Sequence, residues 1–203
     1  LNFYINRRGD SFSCEGHVVE ALIIIDMLND FVIGKLKNER AKHIIPNIKR
    51  LTQAARDTNI PVIYCNDAHL PADRELKKWG EHAMKGTEGA EVILQLEPRK
   101  GDYVFEKRTY SGFFETEIDL LLREMGVDTI ILTGLDTNIC VRHTAADGFF
   151  RGYKIVVPED ATEALSEKEY RQGLEYIKKL YDADITETDN IAERWRGGLS
   201  RPT

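Results

Sequence analysis

Val18-Val19-Glu20-Ala21-Leu22-Ile23-Ile24-Ile25-Asp26 is the stretch on which the fold turns. A near-continuous apolar run of this kind reads as a strand buried on both faces, as in parallel sheets covered by helices. Two further runs end in the same way. Tyr103-Val104-Phe105-Glu106 leads to Lys107, and Thr129-Ile130-Ile131-Leu132-Thr133 leads through a short turn to Cys140. If strands and helices alternate, the three strands are parallel. Asp26, Lys107 and Cys140 then share one edge of the sheet, beyond the carboxyl ends of its strands, where open α/β sheets place their sites. An acid, an ammonium and a thiol brought together there can do nucleophilic chemistry.

The rest of the chain keeps the alternation. Residues 40–58 carry a helical stripe of Ile44, Ile45, Ile48, Leu51 and Ala55. Pro61-Val62-Ile63-Tyr64-Cys65 is the second strand. A loop-rich stretch from Asp67 to Gly89 follows, then a short helix at 90–95 and the third strand, Asp102 to Glu106. Helices are expected at 114–125, 138–151 and 166–181, and strands at 129–133, 154–157 and 183–186. The expected fold class is α/β, a three-layer α/β/α sandwich on a mostly parallel six-stranded sheet. Residues 1–17 read as a leader or tag-like segment, residues 18–190 as the domain, and residues 191–203 as a peripheral tail.

Composition narrows the function. A chain of 203 residues that is 42% hydrophobic can bury one sizeable core. Its net charge of -6 disfavours a nucleic-acid partner. No apolar run approaches the roughly 20 residues of a membrane-spanning helix. Three cysteines, Cys14, Cys65 and Cys140, do not form a disulfide framework, and a reducing, cytoplasmic setting fits them better. A dinucleotide glycine fingerprint, a P-loop and a G-x-S-x-G elbow are all missing, which lowers the dehydrogenase, NTPase and serine-hydrolase readings.

Each polar candidate has a plain structural alternative. Cys140, in Gly134-Leu135-Asp136-Thr137-Asn138-Ile139-Cys140-Val141, falls in the first turn of a helix, whose positive end is expected to lower its pKa. A small buried hydrophobe is the alternative. Asp26 is costly to bury unless paired, or else caps the next turn. Lys107 is a surface lysine unless it lies between Asp26 and Cys140, where it would support the ionised forms of both. Asp67 and His69, at i and i+2, point the same way on an extended segment. With His82 they suit a divalent metal. Phe31, Trp79 and Tyr110 would wall a pocket for a flat ligand, or simply pack the core. His143, one turn beyond Cys140, has a structural or exposed role, and Cys65 is core.

Taken in order, five segments resemble the isochorismatase-like cysteine hydrolases, and within them the nicotinamidase and N-carbamoylsarcosine amidase relatives. They are Ile25 to Phe31, Asn66-Asp67-Ala68-His69, Trp79 to Glu91, Lys107 to Phe113 and Gly134 to Val141. The resemblance implies a triad of Asp26, Lys107 and Cys140 and a cis peptide at Leu135–Asp136. It also implies an oxyanion hole from the N–H groups of Asp136 and Cys140, and a homo-oligomer, dimer or tetramer. It implies a metal on Asp67, His69 and His82, zinc first, with iron or manganese as the other choices. The implied activity is hydrolysis of a small-molecule amide through an acyl-enzyme, with nicotinamide the first candidate. The short Lys107–Tyr110 segment and the spacer without a further histidine between His69 and His82 resemble the carbamoyl-amide enzymes instead. Two alternatives stay open: a carbamoyl, ureido or maleamate-type amidohydrolase that needs no metal, and a non-catalytic metal- or ligand-binding protein on the same scaffold.

Overall fold

The computed structural model describes residues 19–198. The expected leader, with Cys14 and His17, lies outside the described residues, as do residues 199–203. In chain order the elements are β1 (Glu20–Ile25), α1 (Asn29–Val32), α2 (Ile45–Asp57), β2 (Val62–Asp67), α3 (Leu76–Trp79), β3 (Tyr103–Lys107) and α4 (Ile118–Glu124). Then come β4 (Thr129–Leu135), α5 (Arg142–Phe150), β5 (Lys154–Pro158), β6 (Thr162–Glu163), α6 (Glu167–Tyr181), β7 (Asp184–Thr186) and α7 (Thr188–Gly198).

The strands pair in parallel in the order β3-β2-β1-β4-β5-β7. β1 alternates its side chains between two cores, Leu22 and Ile24 on one face, Ala21, Ile23 and Ile25 on the other. α2 and α7 cover the first face through Ile48, Leu51, Ile191 and Trp195. α4, α5 and α6 cover the second through Ile118, Leu122, Ala145, Leu174 and Ile177. That is the expected α/β/α sandwich. Among the described residues no helix is long and apolar enough to cross a membrane.

The expected six strands gain a seventh. β6, only two residues long, pairs with the end of β4, and Thr162 Oγ1 donates to the Gly134 carbonyl at 2.9 Å. A Thr-Glu pair has no apolar periodicity to reveal it. The helix expected over 40–58 is broken, because Pro46 stands in the first turn of α2 and a separate 3-10 turn, Glu39–His43, precedes it. The helix expected at 90–95 is two 3-10 turns, Glu88–Ala90 and Leu94–Leu96. The peripheral tail is also corrected. Ile191, Ala192 and Trp195 are buried in α7, and Trp195 Nε1 donates to Glu20 Oε2 at 2.5 Å. Arginines on both sides of Trp195 hid an amphipathic helix from the sequence reading.

β1 and β4 are the central neighbours from which the chain winds in opposite directions, so the crevice opens beyond their ends. Gly134 lets them close up there. Its φ is 102°, and a Cβ would collide with the Ile25 carbonyl. The long loop after β2 is tied over this end by the segment following β1. Asp30 Oδ2 accepts from the Ala83 N–H at 2.8 Å, and Asn29 N–H donates to the Glu91 carbonyl at 2.9 Å.

Candidate active site

Lys107, the last residue of β3, is 1% exposed. An ammonium that deep must spend all three N–H bonds inside the protein. Nζ donates to Asp26 Oδ2 at 2.8 Å, to Asp67 Oδ1 at 2.5 Å and to Cys140 Sγ at 3.8 Å. Asp26 is held from the other side, its Oδ1 accepting the Asp67 N–H at 2.8 Å. It turns the chain out of β1 with a left-handed φ of 54°, which aspartate tolerates better than most residues. The edge reasoning thus brings its three residues together. It missed the second carboxylate on the lysine, Asp67, placed there by the pairing of Asp67 with Lys107 across β2 and β3.

Cys140 lies in a π-type turn, Thr137–Val141, ahead of α5, with the Val141 N–H reaching the Asp136 carbonyl at 3.2 Å. The Leu135–Asp136 peptide is cis. The electrostatics correct two expectations. Burial pushes the Cys140 thiol well above its usual range, and the Lys107 charge does not offset it. Burial likewise pushes Asp26 up to about 6, helped by the neighbouring Asp67 charge. One ammonium facing two carboxylates leaves a net negative cluster. Asp67 emerges lowered despite its burial, because Lys107 and His69 favour its ionised form. Lys107 stays charged, Asp26 and Asp67 outweighing its own desolvation. The resting thiol is therefore protonated beside a carboxylate that is a stronger base than usual.

Asp67, His69 and His82 bring one ligand atom each within 4.8 Å of one another. His82 Nδ1 meets the Gly80 carbonyl at 2.8 Å, which can only accept, so Nδ1 donates and in the neutral ring the lone pair falls on Nε2. His69 Nδ1 meets Asp73 Oδ2 at 3.2 Å. Its buried Nε2 has no hydrogen-bond partner and stands 3.5 Å from Asp67 Oδ2. Two imidazoles oriented through Nδ1, with an orphaned buried Nε2 beside a carboxylate, fit a divalent metal. Asp73 was not foreseen. Its hydrogen bond from Arg108 comes first in holding it below the usual carboxylate range. Glu75 was also missed: it lines the same cavity, burial raises its pKa, and its Oε1 is buried without a partner.

Asp26, Asp67, His82, Asp136 and Cys140 open onto one cavity of about 280 Å³, small enough for a compact substrate. Phe31, Trp79 and Tyr110 are among its walls. Trp79 Nε1 donates to the Tyr110 hydroxyl at 3.1 Å, and the Phe31 ring lies 5.5 Å from that of His82. His143 stays structural, its Nδ1 donating to the Ile139 carbonyl at 2.7 Å.

Comparison with known proteins identifies the family. Residues 20–190 match the isochorismatase domain. N-carbamoylsarcosine amidase from Thermoplasma acidophilum is 42% identical with a TM-score of 0.80, covering 84% of this chain and 96% of that one. Nicotinamidase PncA from Bacillus subtilis is 33% identical with a TM-score of 0.80, over 84% and 100% of the two chains. Ureidoacrylate amidohydrolase RutB from Yersinia enterocolitica is 35% identical over 70% of this chain and 74% of its own. A pyrazinamidase from Pyrococcus horikoshii, solved in complex with zinc, is 26% identical with a TM-score of 0.79 over 83% and 99%. With the match running from the first strand to the last helix, the chain belongs to the isochorismatase family of hydrolases.

Proposed function

We propose that the protein is a cysteine amidohydrolase acting on a small amide through an acyl-enzyme. The observation that carries this is Lys107 Nζ, 2.8 Å from Asp26 Oδ2 and 3.8 Å from Cys140 Sγ, beneath the cavity that Asp26 and Cys140 line. Asp26 takes the thiol proton as Sγ attacks the carbonyl carbon, and Lys107 balances the negative charge that appears on sulfur. The N–H groups of Asp136 and Cys140 receive the oxyanion. Asp26 passes its proton to the departing amine as the C–N bond breaks, leaving a thioester. It then takes a proton from water, whose oxygen attacks the thioester, and returns that proton to the sulfur as the C–S bond breaks, releasing the acid and the free thiol.

Asp67, His69 and His82 are the residues that would hold a divalent metal, zinc being the first choice for two imidazoles and a carboxylate. That ion would supply a Lewis-acidic contact for a ring nitrogen or a similar neutral donor on the substrate. This supports nicotinamide as the first candidate. The 42% match to a carbamoyl-amide hydrolase supports a carbamoyl or ureido substrate as the second.

The test is ammonia release from nicotinamide and from a carbamoyl amide, with and without a chelator. Turnover of nicotinamide that chelation abolishes supports the first substrate, and chelator-insensitive turnover of the carbamoyl amide the second. A Cys140→Ala protein that folds and keeps full turnover would refute the cysteine mechanism.

A further inference from the structure

Asp136 belongs neither to the Lys107 cluster nor to the Asp67, His69 and His82 group, yet its side chain lines the same cavity beside Cys140. Its Oδ1 accepts from Asn38 Nδ2 at 2.9 Å. Asn38 is buried, and its own Oδ1 accepts the Arg40 N–H at 2.9 Å. That second bond fixes which end of the Asn38 amide faces Asp136. Among the described residues, Asp136 Oδ2 has no hydrogen-bond partner. A carboxyl needed only to anchor Asn38 would use one oxygen, and an amide would serve as well at a smaller desolvation cost.

We infer that Asp136 selects the substrate: its free oxygen accepts a hydrogen bond from an N–H attached directly to the carbonyl that Cys140 attacks. A compound whose inner ureido nitrogen is secondary carries such an N–H besides its terminal amide, whereas N-carbamoylsarcosine carries a methyl group on that nitrogen and a ring carboxamide carries carbon there. The assignment rests on the amidohydrolase reading and, of its two candidate substrates, favours the second, a ureido compound, over nicotinamide. The placement follows from the turn itself. The backbone N–H of Asp136 is assigned to the carbonyl oxygen, so the side chain of the same residue lies beside a substituent of that carbonyl. Burial pushes the Asp136 carboxyl up to about 7, and a donated N–H would offset that by favouring its ionised form.

The Asn38 lock makes the test sharp. In Asp136→Asn the new amide must offer its oxygen to Asn38 Nδ2, so its NH₂ faces the cavity. An acceptor becomes a donor at constant size. We would measure kcat/KM for N-carbamoylglycine and for its N-methyl homologue, which lacks that N–H, with wild-type, Asp136→Asn and Asp136→Leu proteins. The wild type is expected to prefer the N–H compound by about tenfold or more, and both variants to lose that preference. No preference in the wild type, or an undiminished one in both variants, overturns the assignment. Dissociation constants of the two probes on Cys140→Ala protein give the same ratio without chemistry. A chain that hydrolyses neither probe nor nicotinamide, yet binds the two probes with the Asp136-dependent ratio, counts against the hydrolase reading and supports Asp136. Binding of neither probe overturns the assignment.

Discussion

Asp67 accepts a 2.5 Å hydrogen bond from Lys107 with Oδ1 and turns Oδ2 to within 3.5 Å of His69 Nε2. One carboxylate therefore joins the lysine beside the Cys140 thiol to the imidazoles that could hold a metal. A charge change at either centre is felt at the other over a single side chain, in a buried setting where screening is weak.

Lys107→Met tests that arrangement. Removing the ammonium leaves Asp26 and Asp67 buried together without a counter-charge. Breaking a buried ion pair by deleting one partner costs about 3–5 kcal/mol. Urea denaturation is expected to show a loss of that order at pH 7, shrinking as the pH falls and the carboxyls take up protons. Amide turnover is expected to drop by at least about 100-fold. A variant as stable as the wild type at neutral pH would mean that the cluster is not ionised as described.

Asp73 orients His69 without lying among the three clustered ligand atoms. Loss of such a carboxylate behind a ligating histidine typically weakens metal affinity about 10–100-fold. Asp73→Asn is expected to do so in a zinc-competition titration while leaving Cys140 alkylation unchanged. His69→Ala is expected to remove the site. Equal affinity in Asp73→Asn and the wild type would assign Asp73 to packing with Arg108 alone.

Asp136 makes a pH prediction whose sign can be worked out. Its carboxyl titrates near 7 in the folded chain and at its usual 3.8 when unfolded, because burial, the neighbouring charges of Asp26, Glu169 and Glu163, and only one hydrogen bond, from Asn38, surround it. Between those values the unfolded state gives up the proton first. Stability from this group is therefore full below about pH 4 and declines as the pH rises through 7. Asp136→Asn lacks that loss. Its melting temperature relative to wild type is expected to rise from pH 4 to pH 7 by at least about 2 °C, roughly 1 kcal/mol in a chain of this length. A difference independent of pH would contradict the raised value.

Trp195 tests the corrected C-terminal helix. It is 6% exposed, packs against the β1 face and donates to Glu20. Trp195→Ala is expected to cost about 3–5 kcal/mol in denaturant unfolding. The candidate active site lies at the opposite end of β1 from Glu20, so kcat/KM at low temperature is expected to stay near wild type.

The sequence by itself determined the parallel sheet and the edge on which Asp26, Lys107 and Cys140 meet. Strands buried on both faces are written as unbroken apolar runs, and a polar residue closing each run marks the carboxyl end. The Asp67 and His69 spacing was legible for a similar reason, since i and i+2 share a face in extended chain. β6 and the burial of α7 were not, because a two-residue strand has no period and arginines beside Trp195 mask its apolar face. Nor were the signs of the Asp26 and Cys140 shifts. They depend on how many charges share one buried volume, and the second carboxylate on Lys107 comes from the pairing of β2 with β3. Asp73 behind His69 and Asn38 behind Asp136 were likewise decided only by the tertiary structure. Asn38 and Asp136 are 98 residues apart, and the hydrogen bond that orients the carboxyl forms only once the segment after α1 and the turn after β4 close over the same cavity.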